Sequence, residues 1–426
     1  MFKTKSDTTI KLFSNTAYQL LGKLLSMLIT VMCTVIIART YGRESYGEFS
    51  LMQGWPAFVF IMVDFGLNAI ATREIAKDWN KAEKYFNTIL YIRIVLSCVF
   101  MLAMSLLLTF FPYSNALKNG IRLNLLMILT QALFATTNVI FQPKLRYDLS
   151  TIGYIAGYVY ILAAIIIMSR LHMSVALISF SYVIGGLITF LVNFAFVKRL
   201  GVHLNLVLDK GFATRLLYQS LPLGLMFVFS QINFKSDSLL VSLLPLPSRF
   251  GLTNTESVAI YGLPYKIFEV GLVLPTFFMN AAYPILVKHM LEGKERLKKS
   301  FIGVITALAI GGLVCAVLGV FFSPLAITLL GGAQFTRSIF VLQVLLSGMV
   351  LYFLTQPLAW LLVTLDSQRY LPYVYLISAI FNVTANYIFI QRYSFYASAI
   401  ITHLSEFLIL CLLLYFVRKA WKSKYA

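Results

Sequence analysis

Apolar residues run without interruption over twelve stretches, at roughly 12–38, 49–72, 86–111, 121–142, 151–169, 174–197, 214–245, 257–284, 301–322, 337–364, 371–390 and 395–417. Each is close to or above the ~20 residues that a helix needs to cross a hydrocarbon core. The runs are continuously apolar, whereas the strands of a membrane barrel alternate at period two, so a β-barrel is excluded. The pattern predicts an all-α polytopic membrane protein with twelve transmembrane helices. The longest internal polar connector, residues 198–213, falls near the middle of the chain and leaves six runs on either side. It divides the chain into an N-terminal six-helix lobe, 1–200, and a C-terminal six-helix lobe, 201–426. Tyr46-Gly47, after the first run, recurs about half a chain later as Tyr261-Gly262, after the seventh. Half-length repeats of this kind are frequent in membrane proteins built from paired bundles.

Composition agrees: 59% of residues are hydrophobic and 12% charged, with a mean hydropathy of +0.83. Soluble domains carry about 25% charge. The net charge of +19 would suit a nucleic-acid partner if it were clustered on one surface. Its distribution is different. With the N-terminus placed inside, 23 of the 35 basic residues fall in internal segments and 8 in external ones. That bias is the positive-inside signal, so both termini are expected in the cytoplasm, with anionic membrane lipids as the partner of the basic loops and no nucleic acid. Cys33, Cys98, Cys315 and Cys411 each sit alone in an apolar run and read as small hydrophobes, without metal or redox spacing. The first run is too long for a cleavable signal and lacks a small-residue cleavage site, so it is expected to be the first spanning helix.

Charges inside apolar runs are few, and each needs water or a partner because charge at bilayer depth costs a few kcal/mol. They are Lys23, Arg93, Lys235 and Lys266 against Asp64, Asp237, Glu269 and Glu406. Lys266 and Glu269 are three apart and share a helical face. Asn15, Gln19 and Lys23, spaced by four, put a polar stripe on the first helix that either holds helices together or lines a cavity. Arg93 either snorkels to the interface or joins a polar path. Asn382 and Asn386 share a face, as do His403 and Glu406. Pro264, Pro275 and Pro284, with Gly262 and Gly271, punctuate one helix and suit bends. Residues 323–335 are too short to span and are expected to lie at the outer interface. The chain has no GxxxxGK[ST] phosphate loop, HExxH or nucleophile elbow. No catalytic residue, metal ligand or cofactor is therefore assigned, and the chain is not read as an enzyme.

Several short motifs occur in order. Asn15 and Gln19 are followed by Ala38-Arg39-Thr40-Tyr41-Gly42, Tyr46-Gly47-Glu48-Phe49, Asp64-Phe65-Gly66-Leu67 and Ala71-Thr72-Arg73-Glu74-Ile75-Ala76. Leu221-Pro222, Tyr261-Gly262, Lys266-Ile267-Phe268-Glu269 and Tyr283-Pro284 come later. Together they resemble the oligosaccharide (O-antigen and capsule repeat-unit) flippases of the multidrug/oligosaccharidyl-lipid/polysaccharide exporter superfamily. Tyr393 to Ala399 departs from that family's glycine-rich Y-G-x-x-G-A-A connector. The cytoplasmic loop 72–86 lacks the G-x-x-x-D-R/K-x-G-R-R/K pattern of major-facilitator transporters.

The resemblance implies two six-helix lobes around a central cavity, alternating access, and energy from an ion gradient or the membrane potential. It implies a polyprenyl-diphosphate-linked oligosaccharide as substrate, a cytoplasmic (inner) membrane location, and polysaccharide polymerase or glycosyltransferases as partners. A wet cavity suits such a cargo, because sugar hydroxyls in hydrocarbon would have no hydrogen-bond partners. On this reading Lys23, Lys235 and Lys266, with Arg73 and Arg93, attract the anionic diphosphate. Asp64, Asp237, Glu269 and Glu406 act in gating or ion coupling. A drug or cation antiporter of the same superfamily is the alternative, with the acids as its working groups. A scaffold that assembles glycosyltransferases without transporting is a third reading.

Overall fold

A chain in lipid has to pair its backbone groups within its own elements, and every described element of the computed structural model is helical. The structure describes residues 5–205 and 209–425, with side chains from residue 22 onward. The side chains of Asn15 and Gln19 therefore lie outside the described residues. In order the helices are α1 Lys5–Asp64, α2 Leu67–Lys77, α3 Ala82–Leu107, α4 Asn115–Asn124, α5 Leu126–Phe141, α6 Tyr147–Arg170 and α7 Val175–Arg199. They continue as α8 Lys210–Leu243, α9 Asn254–Glu292, α10 Lys294–Gly331, α11 Arg337–Ser347, α12 Met349–Thr364, α13 Leu371–Tyr393 and α14 Phe395–Tyr425.

Eleven candidate membrane spans occur among the described residues. The first, Gly22–Asp64, takes in both of the first two apolar runs, which accounts for the twelve expected from sequence. The two runs meet at Gly42, whose φ of 83° lies in the left-handed region that glycine tolerates at little cost. The second run breaks where Phe65 (φ 42°) and Gly66 (φ 68°) separate α1 from α2. The expected interfacial segment at 323–335 is helical over most of its length. Residues 323–331 continue α10 as regular helix through Pro324, with Ser323 Oγ donating to the Gly319 carbonyl at 2.6 Å and Thr328 Oγ1 to the Pro324 carbonyl at 2.7 Å. These internal bonds let two hydroxyl residues stay in the helix. Likewise α9 stays one helix through all three of its prolines.

Two compact units divide the chain, Met1–Thr40 with Glu48–Val228, and Tyr41–Gly47 with Phe229–Ala426. In the first unit α6 packs along α7, and α5 against α3 and α7. The α6–α7 crossing depends on small residues. A Cβ on Gly157 would stand 2.5 Å from the Gly185 carbonyl oxygen, and one on Gly153 would stand 2.0 Å from Asn193 Oδ1. Close helix approach through glycine is a main source of packing energy in lipid, where apolar burial drives little. Gly157→Val should therefore lower the yield of folded protein markedly, read by size-exclusion of detergent extracts, and normal yield would refute this packing role.

The same unit has an apolar core around Phe86, Ile89, Phe141, Val197, Val202 and Leu216. The connector after α7 is tied to the start of α3. Asn87 Nδ2 donates to the His203 carbonyl at 2.9 Å, and Lys84 Nζ pairs with Asp209 at 2.9 Å. The Lys84 ammonium holds the Asp209 carboxyl below the usual carboxylate range.

In the second unit α9 packs against α10, α11, α12 and α14, and α13 packs along α14. The segment Tyr41–Gly47 belongs here: Arg43 pairs with Glu256 at 2.5 Å, and a Cβ on Gly47 would stand 2.0 Å from the Thr255 carbonyl oxygen. Glu256 also closes a capping box on α9, since the Thr253 hydroxyl accepts from the Glu256 amide while Glu256 accepts from the Thr253 amide.

Candidate functional site: charged and polar groups within the helices

In the first unit Arg93 is 0% exposed and donates to Asp64 and, at 3.0 Å, to Thr136 Oγ1. It does not snorkel. A guanidinium taken out of water needs a paired, hydrogen-bonded anion, and Asp64 at the end of α1 supplies it. The Asp64 side chain is 38% exposed, so the pair is dry at the arginine and accessible at the acid. Arg93 Nε finds no partner among the described residues. Arg73 stands apart on α2, exposed, with its Nε 3.0 Å from Glu74, which Lys77 also contacts at 3.0 Å. The Lys77 and Arg73 hydrogen bonds hold the Glu74 carboxyl below its ordinary range. Lys23 is exposed on α1.

The second unit gathers more. Lys235 Nζ on α8 lies 2.6 Å from Glu269 Oε1, and Lys266 Nζ on α9 lies 3.1 Å from Glu269 Oε2. One carboxylate thus divides its two oxygens between two ammonium groups, and the cluster carries one net positive charge. All three side chains are partly accessible, at 29% for Lys235, 46% for Lys266 and 31% for Glu269. Helix spacing alone accounts for the Lys266–Glu269 contact. The Lys235 contact comes from tertiary packing.

Asp237, two residues on, is almost fully buried and has no cation beside it among the described residues. Its Oδ2 accepts from the Tyr261 hydroxyl at 2.8 Å and the Thr402 hydroxyl at 2.6 Å, and its Oδ1 from Asn386 Nδ2 at 2.8 Å. The network extends outward. Ser398 donates to Asn386 Oδ1 at 2.9 Å, Ser236 to Asn382 Oδ1 at 2.9 Å, and Asn382 Nδ2 to Ser405 at 3.2 Å. Neutral donors and acceptors from α8, α9, α13 and α14 thus surround one acid in a low-dielectric interior, where such bonds are strong and missing ones costly. Glu406, a turn beyond Thr402 on α14, is also buried and accepts a hydrogen bond from Thr355 of α12. His403 faces elsewhere, its Nε2 2.5 Å from the Val344 carbonyl oxygen, so it does not pair with Glu406.

The structure therefore joins Asp64 to Arg93, and Glu269 to both Lys235 and Lys266, while Asp237 and Glu406 sit in separate polar surroundings. Sequence reading missed Tyr261, Thr402, Thr355 and Thr136 as partners. The only available signal was the four-residue spacing of Ser398, Thr402 and Glu406 along α14. No cluster of three or more His, Cys, Asp or Glu that could hold a metal occurs among the described residues.

Among the described residues the chain is thus many-spanning and helical, with paired charges inside its helices. The chain matches the family described as polysaccharide biosynthesis protein over residues 12–290, well over half its length, and belongs to that family. Solved structures with the same fold include an inward-facing multidrug-resistance MATE transporter of the MOP superfamily, at 15% identity and a TM-score of 0.76, covering 94% of this chain and 96% of that one. They also include the lipid II flippase MurJ in an inward closed conformation, at 15% identity and a TM-score of 0.70, covering 95% of this chain and 89% of that one. A MOP-superfamily transporter from Pyrococcus furiosus, described as having a binding pocket of reversed polarity, has a TM-score of 0.66 at 16% identity, covering 96% of this chain and 95% of that one. No curated protein sequence matches. The protein is thus a multi-pass membrane protein of the polysaccharide biosynthesis family with the MOP-superfamily transporter fold, and the family match does not favour the drug-antiporter alternative.

Proposed function

We propose that the protein flips a polyprenyl-diphosphate-linked oligosaccharide repeat unit from the cytoplasmic to the outer leaflet of the cytoplasmic membrane, by alternating access of its lobes, 1–200 and 201–426. The observation that carries the reading is the Lys235–Glu269–Lys266 cluster within the helices of the second unit. A diphosphate offers two adjacent anionic groups, and two ammonium groups sharing one carboxylate can transfer to them without either being left unpaired. Exchange of one oxyanion for another keeps the desolvation cost low while selecting for a doubly charged head group. In the first unit we assign Lys23 and Arg73, both exposed, to the basic path, which the fully buried Arg93 reaches only through Asp64. The fold shared with the lipid II flippase supports a lipid-linked cargo.

Asp237 and Glu406 are the groups we assign to ion coupling, and Asp64 and Glu269 to gating. An acid surrounded by hydroxyls and amides can take up a proton or a small monovalent cation and lose it as its surroundings reopen. Inactivating the gene should stop surface polysaccharide assembly and leave lipid-linked repeat units on the cytoplasmic side. Unchanged surface polymer would contradict the proposal and leave the antiporter reading, whereas lost polymer without accumulated lipid-linked repeat units would favour the scaffold. The orientation is tested separately: reporter fusions after Lys84, Arg199 and Lys299 should all report the cytoplasm, and external signals at two of them would overturn the topology.

A further inference from the structure

A second basic feature lies outside the charged cluster, in the second unit, where the α8–α9 connection meets the last turn of α13. Pro247, Ser248, Arg249, Gln391, Arg392 and Tyr393 line an open pocket of about 380 Å³. That is within the usual range for small-ligand sites, roughly 300–1,000 Å³. No acidic residue lines it, so its two guanidinium groups have no carboxylate to neutralise them there. Arg249 is held in place: its guanidinium stands 5.1 Å from the Phe250 ring centroid and 5.8 Å from that of Tyr393, and it donates to the Arg392 carbonyl. That last bond caps a free carbonyl at the end of α13, a structural task that one arginine completes. Arg392 makes no ion pair among the described residues. The Tyr393 ring is half exposed, and Gln391 and Ser248 add an amide and a hydroxyl.

We propose that this pocket binds an oxyanion carried by the transported glycolipid, either the carboxylate of an acidic sugar or a phosphate. A guanidinium presents parallel N–H donors that match the two oxygens of either group, and the second arginine adds charge. The exposed tyrosine face suits the apolar side of a sugar ring. The pocket is confined to one unit and formed by helix ends, so it would hold the head group beside the membrane helices and not among them. The glycolipid as source rests on the transport reading, whereas the oxyanion chemistry rests on the pocket alone.

The test is direct binding to the full-length protein in detergent, by calorimetry, with galacturonate, galactose and inorganic pyrophosphate as probes. Galacturonate or pyrophosphate should bind saturably and galactose should not. Arg392→Gln should weaken that binding by about tenfold or more, Arg392→Lys by less, with melting temperatures unchanged in both. Preference for galacturonate assigns the site to an acidic sugar, and preference for pyrophosphate assigns it to the lipid phosphate. If neither anion binds, or if Arg392→Gln binds as the wild type does, the site is refuted. Binding needs no translocation, so a negative result here leaves the transport reading standing, and a failed transport assay leaves the pocket standing.

Discussion

Lys266→Ala should leave the amount of folded protein in the membrane near normal and cut export of surface polysaccharide at least tenfold. Removing Lys266 still leaves Glu269 paired with Lys235 at 2.6 Å, so no charge within the helices becomes orphaned. What is lost is the second ammonium, the group that gives the cluster its net positive charge and its match to a diphosphate. Glu269→Ala should behave differently. It removes the carboxylate that Lys235 and Lys266 share, and breaking a buried pair costs on the order of 3–5 kcal/mol, less here because all three side chains are partly accessible. Abundance should fall, and Lys266→Ala combined with Glu269→Ala should restore part of it without restoring export. Lys266→Arg should keep partial export, because the charge persists. Immunoblots of membrane fractions beside measurements of surface polymer separate these cases. If the double change rescues both abundance and export, the cluster is a structural pair and nothing more.

Asp237→Asn should uncouple transport from its driving ion while the protein still folds. Asparagine is nearly isosteric and keeps an acceptor for the Tyr261 and Thr402 hydroxyls, but cannot hold a titratable or cation-binding charge. Asp237→Ala is the harsher change. It removes the acceptor that Tyr261, Thr402 and Asn386 share, although each keeps a second partner: Thr402 Oγ1 at 3.2 Å for Tyr261, the Ser398 carbonyl at 2.7 Å for Thr402 and the Asn382 carbonyl at 3.0 Å for Asn386. A lower yield of folded protein than for the asparagine variant is expected, from the lost bonds and the cavity left behind. Uptake of labelled lipid-linked sugar into vesicles, with and without an imposed proton or sodium gradient, tests the coupling role. The asparagine variant should show the same rate with and without the gradient. A gradient response as large as that of the wild type would remove Asp237 from the coupling path.

Much of the architecture was legible because lipid imposes one rule on every span. Continuous apolar length located the helices, and even the merging of the first two runs into α1 changed only how they are counted. The site was legible in part. Lys266 and Glu269 share a face by helix geometry, so their pairing followed from spacing. Lys235 joins them from a different helix, 34 positions away from Glu269, and no periodicity encodes that. The same holds for Arg93 and Asp64, whose contact depends on how α3 meets the end of α1. Arg93 also shows why depth cannot be read from position in a run: a long side chain one or two turns into the apolar run fits either snorkelling or burial, and packing decides. The hydroxyls around Asp237 were the least visible. Serine and threonine satisfy themselves on helix carbonyls in lipid, so a network member and a bystander have the same sequence signature.

The central claim is translocation of a lipid-linked oligosaccharide, and it is measured most directly in proteoliposomes. The purified protein is reconstituted into vesicles containing a polyprenyl-diphosphate-linked oligosaccharide that carries a label on its sugar. An impermeant glycosidase or lectin added outside then reports how much of the label becomes accessible over time. The proposed function predicts that label initially confined to the inner leaflet becomes accessible at a rate proportional to the amount of protein, and that Lys266→Ala vesicles stay near the protein-free rate. Equal rates with and without the wild-type protein, under a proton gradient, a sodium gradient and an imposed membrane potential alike, would contradict it.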